Sequence, residues 1–146
     1  MRSLDFIIIG AMKAGTTSIC KYLAQHEKLH LPPEKEAPFF SEDMRFKKGY
    51  LDYFNIFFKS ASASALIGKV TPIYMMHPEV PSRIKQICPD VKMIAILRDP
   101  IERAYSHYHM AVRLKKETRT FEEAILYQLY EKRLEKARTS CALWDN

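Results

Sequence analysis

The stretch LDFIIIGAMKAGTTSICKYL, residues 4–23, decides the fold. Its first part, Leu4–Ile9, is a short apolar run rich in β-branched residues that stops at Gly10. A run of that length without polar alternation reads as a strand buried on both faces, as in a parallel sheet. Its last part has helical spacing. Ile19, Leu23 and Ala24 share one face, so a helix is expected to open at Thr16 or Thr17 and to reach about Leu29. The joining turn has glycine at both ends, Gly10 and Gly15. A glycine turn between a strand and a helix N-terminus aims successive backbone N–H groups into one hollow, where the helix adds partial positive charge. Lys13 adds a full charge, and Thr16, Thr17 and Ser18 add hydroxyl donors. The expected product is a cradle for a phosphate-sized anion.

Outward from this unit, Leu31-Pro32-Pro33 stops the helix and begins an extended stretch. Lys35–Phe40 (KEAPFF) is a loop or edge segment, because Pro38 cannot donate to a central ladder. Within residues 43–64, Tyr50, Tyr53, Phe54, Phe57 and Phe58 recur at three- and four-residue spacings, which predicts a helix. The SASAS run at residues 60–64 is a linker. Leu66–Val70 is a second strand, ended by Thr71-Pro72, and Pro78–Cys88 is a helix with Val80, Ile84 and Ile87 on one side. Val91–Leu97 (VKMIAIL) reads as another buried strand. Asp99-Pro100 starts a helix running to about Arg113, since Asp caps N-termini and Pro suits the first helical position. Thr120 with Glu123 forms a capping box that opens a last helix reaching about Arg138, and residues 139–146 read as a frayed end. Strands alternating with helices imply a three-layer α/β architecture: a parallel sheet covered on both faces. Residues 1–146 form one domain, with 114–146 as a helical C-terminal extension.

The composition agrees. A chain of 146 residues with 47% apolar and 27% charged side chains is an ordinary globule, neither disordered, collagen-like nor a disulfide miniprotein. The longest apolar runs fall far short of the ~20 residues a membrane helix needs. Asp5 and Lys13 interrupt any signal-peptide core, so none is expected. Cys20, Cys88 and Cys141 are an odd number without a CxxC pair, which suits reduced thiols and a cytoplasmic location. The five histidines lack metal-ligand company, so no metal site is expected. A net charge of +6 suits an anionic ligand. Charge alone admits nucleic acid, and solvated faces alone also produce it.

A second anion-binding feature follows the last strand. In open α/β sheets, ligands sit beyond the carboxyl ends of the strands. Leu97-Arg98-Asp99-Pro100 places Arg98 at that edge, where its guanidinium can fork onto a phosphate. Ser106 lies about two helical turns further on, with Arg103 as a positive neighbour. The bland alternative pairs Arg98 with Asp99 or Glu102. The Gly10-x4-Gly15 spacing is that of a P-loop, but Thr16-Thr17 stand where a nucleotide triphosphatase has Lys-Ser/Thr, and the lysine sits inside the loop at position 13.

With these residues in view, three segments resemble one family. FIIIGAMKAGTTSICKYL is similar to the loop by which sulfotransferases grip the 5′-phosphosulfate of PAPS (3′-phosphoadenosine 5′-phosphosulfate). VKMIAILRDPIERAYSHY resembles their 3′-phosphate segment. KEAPFF resembles the acidic-aromatic segment of the heparan sulfate N- and 3-O-sulfotransferase branch and its bacterial relatives. The segments occur in the family's order and span residues 4–113.

The resemblance implies a P-loop-like sulfotransferase fold and a donor, PAPS, leaving as 3′,5′-bisphosphoadenosine (PAP). Lys13 would stabilise charge on the leaving phosphate. Ala14, Gly15, Thr16, Thr17 and Ser18 would hold the 5′-phosphate, and Arg98 and Ser106 the 3′-phosphate. Glu36 would be the catalytic base, with a solvated carboxylate beside Lys35 as the alternative. Lys35 would orient the acceptor or Glu36. The acceptor would be a hydroxyl or amine, of a sugar or a small lipid-like molecule. No metal, nucleic acid or membrane is implied.

Two departures stand out. Gly68-Lys69-Val70-Thr71 places lysine where the family usually has an acid, so Lys69 would contact substrate only with a shifted backbone. Family catalytic domains are also nearly twice as long, so a partial domain is expected. A non-catalytic nucleotide-binding remnant and a P-loop kinase remain as alternatives. Arg98, where a kinase would carry a Walker-B acid, counts against the latter.

Overall fold

The computed structural model describes residues 2–130. Residues 131–146, with the far part of the expected last helix, the expected frayed end and Cys141, lie outside the described residues. The described chain runs β1 (Phe6–Gly10), α1 (Thr16–Leu23), β2 (Leu29–His30), α2 (Asp43–Lys48), α3 (Tyr50–Phe57) and β3 (Leu66–Val70). A 3₁₀ turn, Pro72–Met75, follows, then α4 (Val80–Ile87), β4 (Lys92–Ala95), α5 (Pro100–Arg113) and α6 (Phe121–Tyr130). The four strands form one parallel sheet in the order β2-β3-β1-β4. Phe6 pairs with Gly68 on one side and with Lys92 on the other.

Alternation along the central strands feeds two cores. Ile7 and Ile67 join Phe39, Phe40, Tyr50, Tyr53, Val80 and Ile84, which brings in α3 and α4. Phe6, Ile8 and Val70 join Ile19, Cys20 and Leu23 of α1. The sheet therefore lies between helical layers, as the strand–helix alternation predicts. Gly68 marks the tightest point. A Cβ there would lie 2.0 Å from Cζ of Phe6. Gly68→Ala is expected to overpack this face and cost about 1–3 kcal/mol, read as a lower urea midpoint; an unchanged midpoint would mean that the ring yields freely.

Three expectations need correction, and one element is new. The first helix ends at Leu23, not near Leu29. His26 N–H bonds back to Leu23 O, His26 Nδ1 accepts from Lys28 N–H, and Lys28 O accepts from Leu66 N–H, so pairing with β3 draws the chain out of the helix. The aromatic segment is two helices, because Gly49 at φ 96, ψ 154 interrupts it. The turn Pro72–Met75 was not expected. The strand read as buried at Val91–Leu97 is Lys92–Ala95, and all four of its residues are exposed. It pairs with β1 alone, and its side chains, which point to the two faces of the sheet, are left uncovered there among the described residues.

Both capping expectations hold. Asp99 Oδ1 accepts from the N–H groups of Ile101 and Glu102, each at 3.0 Å. Thr120 and Glu123 exchange side chain–backbone bonds at the start of α6. Among the described residues no helix is long and apolar enough to cross a membrane.

Candidate functional site

The cradle is built where β1 stops. The pairing of β1 with β4 shifts register between Ile8 and Gly10, and Gly10 then pairs with Ala95. Gly10 is required there: a Cβ would sit 2.8 Å from Cβ of Met75 and 3.0 Å from Pro72 O. Lys13 adopts φ 67, and Gly15, at φ 93, caps α1 in the left-handed region. No side chain caps the first turn of α1. Its open N–H groups and partial positive charge are left to a ligand or solvent.

Two backbone bonds tie this turn to the far anion-binding segment. Ala11 N–H donates to Ile96 O and Ile96 N–H to Gly10 O, both at 2.8 Å. Arg98, two residues on, therefore starts beside the cradle. Its Nη1 lies 3.4 Å from Lys13 O. The guanidinium also takes up the bland alternative, since Nε and Nη2 both reach Glu102 Oε2 at 3.1 Å. That pair is exposed, and an exposed ion pair contributes only ~0–1 kcal/mol. It is a weak competitor for a phosphate.

A cleft of about 310 Å³ lies over these groups. The glycine turn lines it with Lys13, Gly15, Thr16 and Thr17; the loop after β2 adds Lys35 and Glu36; Arg98 and Ser106 complete the lining of charged and hydroxyl groups. The cleft thus brings together residues from positions 13 to 106, all proposed from sequence. Three others stay out. Ala14 and Ser18 do not line it, and Ser18 N–H is spent on Gly15 O at 3.0 Å. Lys69 is 1% exposed and faces elsewhere, its Nζ donating to Glu34 O at 2.8 Å. The expected role of Lys69 as a substrate contact gives way to a buried anchor, because β3 aims it under the Glu34–Glu36 loop rather than into the cleft.

Lys35 Nζ and Glu36 Oε1 pair at 2.5 Å, with the carboxylate half exposed. Sequence reasoning missed Met12, Pro72 and Met110 on the wall. Nothing in their types signals a site; the position of Pro72 just past the carboxyl end of β3 is the one available cue. It also passed over His107, which lines an adjoining cavity of about 270 Å³ that shares Met12 and Pro72 with the cleft. Burial, reinforced by Arg103 and Lys13, lowers its pKa to about 4 and keeps it neutral near pH 7. The positive charge that lowers it is the same charge that would greet an anion.

The cleft fits a ligand with two anionic ends. A cationic, hydroxyl-lined, uncapped helix start meets one, and an arginine with a serine meets the other. Its volume is at the lower edge of small-molecule sites, ~300–1,000 Å³. Among the described residues no three His, Cys, Asp or Glu side chains converge as a metal-ligand set.

Comparison with known proteins agrees with this geometry. The sequence profile described as "Sulfotransferase domain" matches residues 3–145. The chain is 33% identical over 118 residues to the membrane-associated sulfotransferase kil1 of Dictyostelium discoideum, covering 80% of this chain and 25% of that protein. It is 32% identical over 116 residues to heparan sulfate glucosamine 3-O-sulfotransferase 3B1 of Homo sapiens, covering 80% and 29%. It is 32% identical over 111 residues to bifunctional heparan sulfate N-deacetylase/N-sulfotransferase 3 of Mus musculus, covering 70% and 12%. The chain thus spans between about an eighth and three tenths of these curated relatives. Among solved structures, a sulfotransferase from Alicyclobacillus acidocaldarius superposes with a TM-score of 0.77 at 29% identity, over 93% of this chain and 60% of that one. A match along nearly its whole length, with the fold just described shared by a solved sulfotransferase, places the chain in the sulfotransferase family.

Proposed function

We propose that this chain transfers a sulfuryl group from PAPS to a hydroxyl or amine acceptor, with donor and acceptor meeting in the cleft between Lys13 and Glu36. The observation that carries the reading is the convergence on one cleft of two cationic side chains, Lys13 and Arg98, with a carboxylate, Glu36. PAPS supplies an activated sulfuryl group on a good leaving phosphate; the protein supplies alignment and charge.

Thr16, Thr17 and the open N–H groups of α1 hold the 5′-phosphate. Arg98 and Ser106 hold the 3′-phosphate, and so select this donor over nucleotides that lack one. Glu36 accepts the proton of the acceptor as its oxygen or nitrogen bonds to sulfur. Lys13 neutralises the charge that collects on the bridging oxygen as the sulfur–oxygen bond breaks. Sulfuryl transfer resembles phosphoryl transfer in its loose, in-line transition state, so alignment and charge neutralisation are the main contributions a protein can make. Lys35 lies against Glu36 and orients it. Two of the relatives are named for heparan sulfate, so carbohydrate hydroxyls and amines are the first acceptors to test. Cys20 and Cys88 are free thiols, in keeping with a reducing cytoplasmic compartment.

The test is a labelled-sulfate assay from PAPS against sugar hydroxyls, glucosamine amines and lipid-like alcohols. Transfer to any of them supports the reading. PAP binding without transfer would make the chain a nucleotide-binding remnant, and phosphate transfer from ATP would make it a kinase.

Arg98→Ala is expected to weaken PAP by about 10- to 150-fold, the loss of a charge-assisted bond of ~1.5–3 kcal/mol. Binding of 5′-AMP should change little. Calorimetry reads both, and equal weakening of the two would remove Arg98 from the 3′-phosphate.

A further inference from the structure

The loop that carries Lys35 and Glu36 to the cleft has no ladder or helix of its own, so its shape must come from elsewhere. Buried side chains from the surrounding core supply it. Tyr74 Oη accepts from Phe39 N–H at 2.8 Å and Phe40 N–H at 3.2 Å. Arg83 donates to Phe40 O at 3.0 Å. Tyr53 Oη donates to Ala37 O at 3.1 Å. All of these lie on the C-terminal side of Glu36. On its other side, Lys69 Nζ donates to Glu34 O at 2.8 Å. Glu36 is therefore bracketed: Tyr53 of α3 holds the next residue's carbonyl, and Lys69 of β3 holds the carbonyl two residues before.

Lys69 is an unusual residue for that place. It stands on a strand with Ile67 and Val70, all three 0–1% exposed, and its ammonium lies 5.2 Å from the ring centroid of Phe57. Burial disfavours its charge and lowers its pKa to about 8, against the opposing pull of nearby Glu34. An apolar side chain would fill the site at lower cost. Stability alone thus gives no reason for a lysine here; the bond to the Glu34 carbonyl does.

We propose that Lys69 is a positioning residue that fixes the Lys35–Glu36 pair at the mouth of the cleft through its bond to the Glu34 carbonyl. Its catalytic consequence rests on the reading of Glu36 as base; its hold on the loop does not. Lys69 does not line the cleft, so its effect reaches transfer through the loop and leaves donor binding alone.

The test uses the full chain with Lys69→Met and Lys69→Arg. Hydrogen exchange over residues 33–37, PAP titration, and PAPS turnover with a glucosamine oligosaccharide and 2-naphthol are measured together. Lys69→Met is expected to speed loop exchange at least tenfold, to keep PAP affinity within twofold, and to lower kcat about 10- to 100-fold at unchanged donor KM, as a misplaced group does. Lys69→Arg, which keeps a buried cation and donor, is expected to recover at least half of the loop protection and kcat on a logarithmic scale. The proposal is overturned if Lys69→Met leaves loop exchange unchanged, lowers PAP affinity in step with kcat, or fails to fold; it is also overturned if Lys69→Arg is no better than Lys69→Met. Absence of transfer in the unsubstituted chain would defeat the sulfuryl-transfer reading, while loop exchange would still decide whether Lys69 holds the loop.

Discussion

Lys13→Ala is expected to cost sulfuryl transfer at least ~10²-fold and to leave the fold in place. Lys13 sits in a turn outside both cores, and its φ of 67 suits alanine no worse than lysine, so alanine adds no new backbone strain. What it removes is the positive charge where the leaving oxygen becomes anionic. Removing one hydrogen-bond donor aimed at a developing anion costs ~10²–10³-fold in kcat, and a full charge is expected to cost at least that. The loss should fall mainly on kcat, because the charge it answers is largest in the transition state. Single-turnover transfer from labelled PAPS, beside a urea melt, separates the two effects. Transfer within tenfold of the unsubstituted chain would remove Lys13 from the chemistry.

Glu36→Gln is the second large effect. Glutamine keeps the shape and can still bond to Lys35, but it cannot take a proton. The ion pair it breaks is exposed on the carboxylate side and contributes little to stability. The fold and PAP affinity are therefore expected to persist while turnover falls ~10²–10⁴-fold, the usual range for general-base catalysis. An unchanged rate would show that the acceptor loses its proton elsewhere.

Much of this was legible because local chemistry and tertiary structure agree. The run Phe6–Gly10 is apolar enough to be central wherever it is placed, and the Asp99 and Thr120 caps act within their own turns. That the Gly10–Gly15 turn and the Arg98 segment meet was legible for the same reason: neighbouring strands of a parallel sheet end at one edge. Readings failed where a distant neighbour decides. VKMIAIL has the composition of a buried strand, yet its exposure depends on which elements pack on the faces of the sheet beside β4. Residues 24–29 have no helix breaker, and it is Leu66 that draws them into the sheet. Lys69 is the sharpest case. Period-two alternation gives its face of the sheet, but that the Glu34 carbonyl waits above it depends on the path of a loop 35 residues away in sequence. Ser18 shows a smaller limit of the same kind: its N–H is bonded within the helix to Gly15 O, which leaves its hydroxyl as the donor.

Lys13 and Arg98 are proposed to grip opposite ends of one nucleotide. Calorimetric titration of the chain with PAP, 5′-AMP and ATP, each with and without magnesium, tests it most directly. PAP is predicted to bind at least tenfold more tightly than either competitor, with no need of the metal. Equal affinity for PAP and 5′-AMP, or tightest binding of magnesium-ATP, would contradict the account.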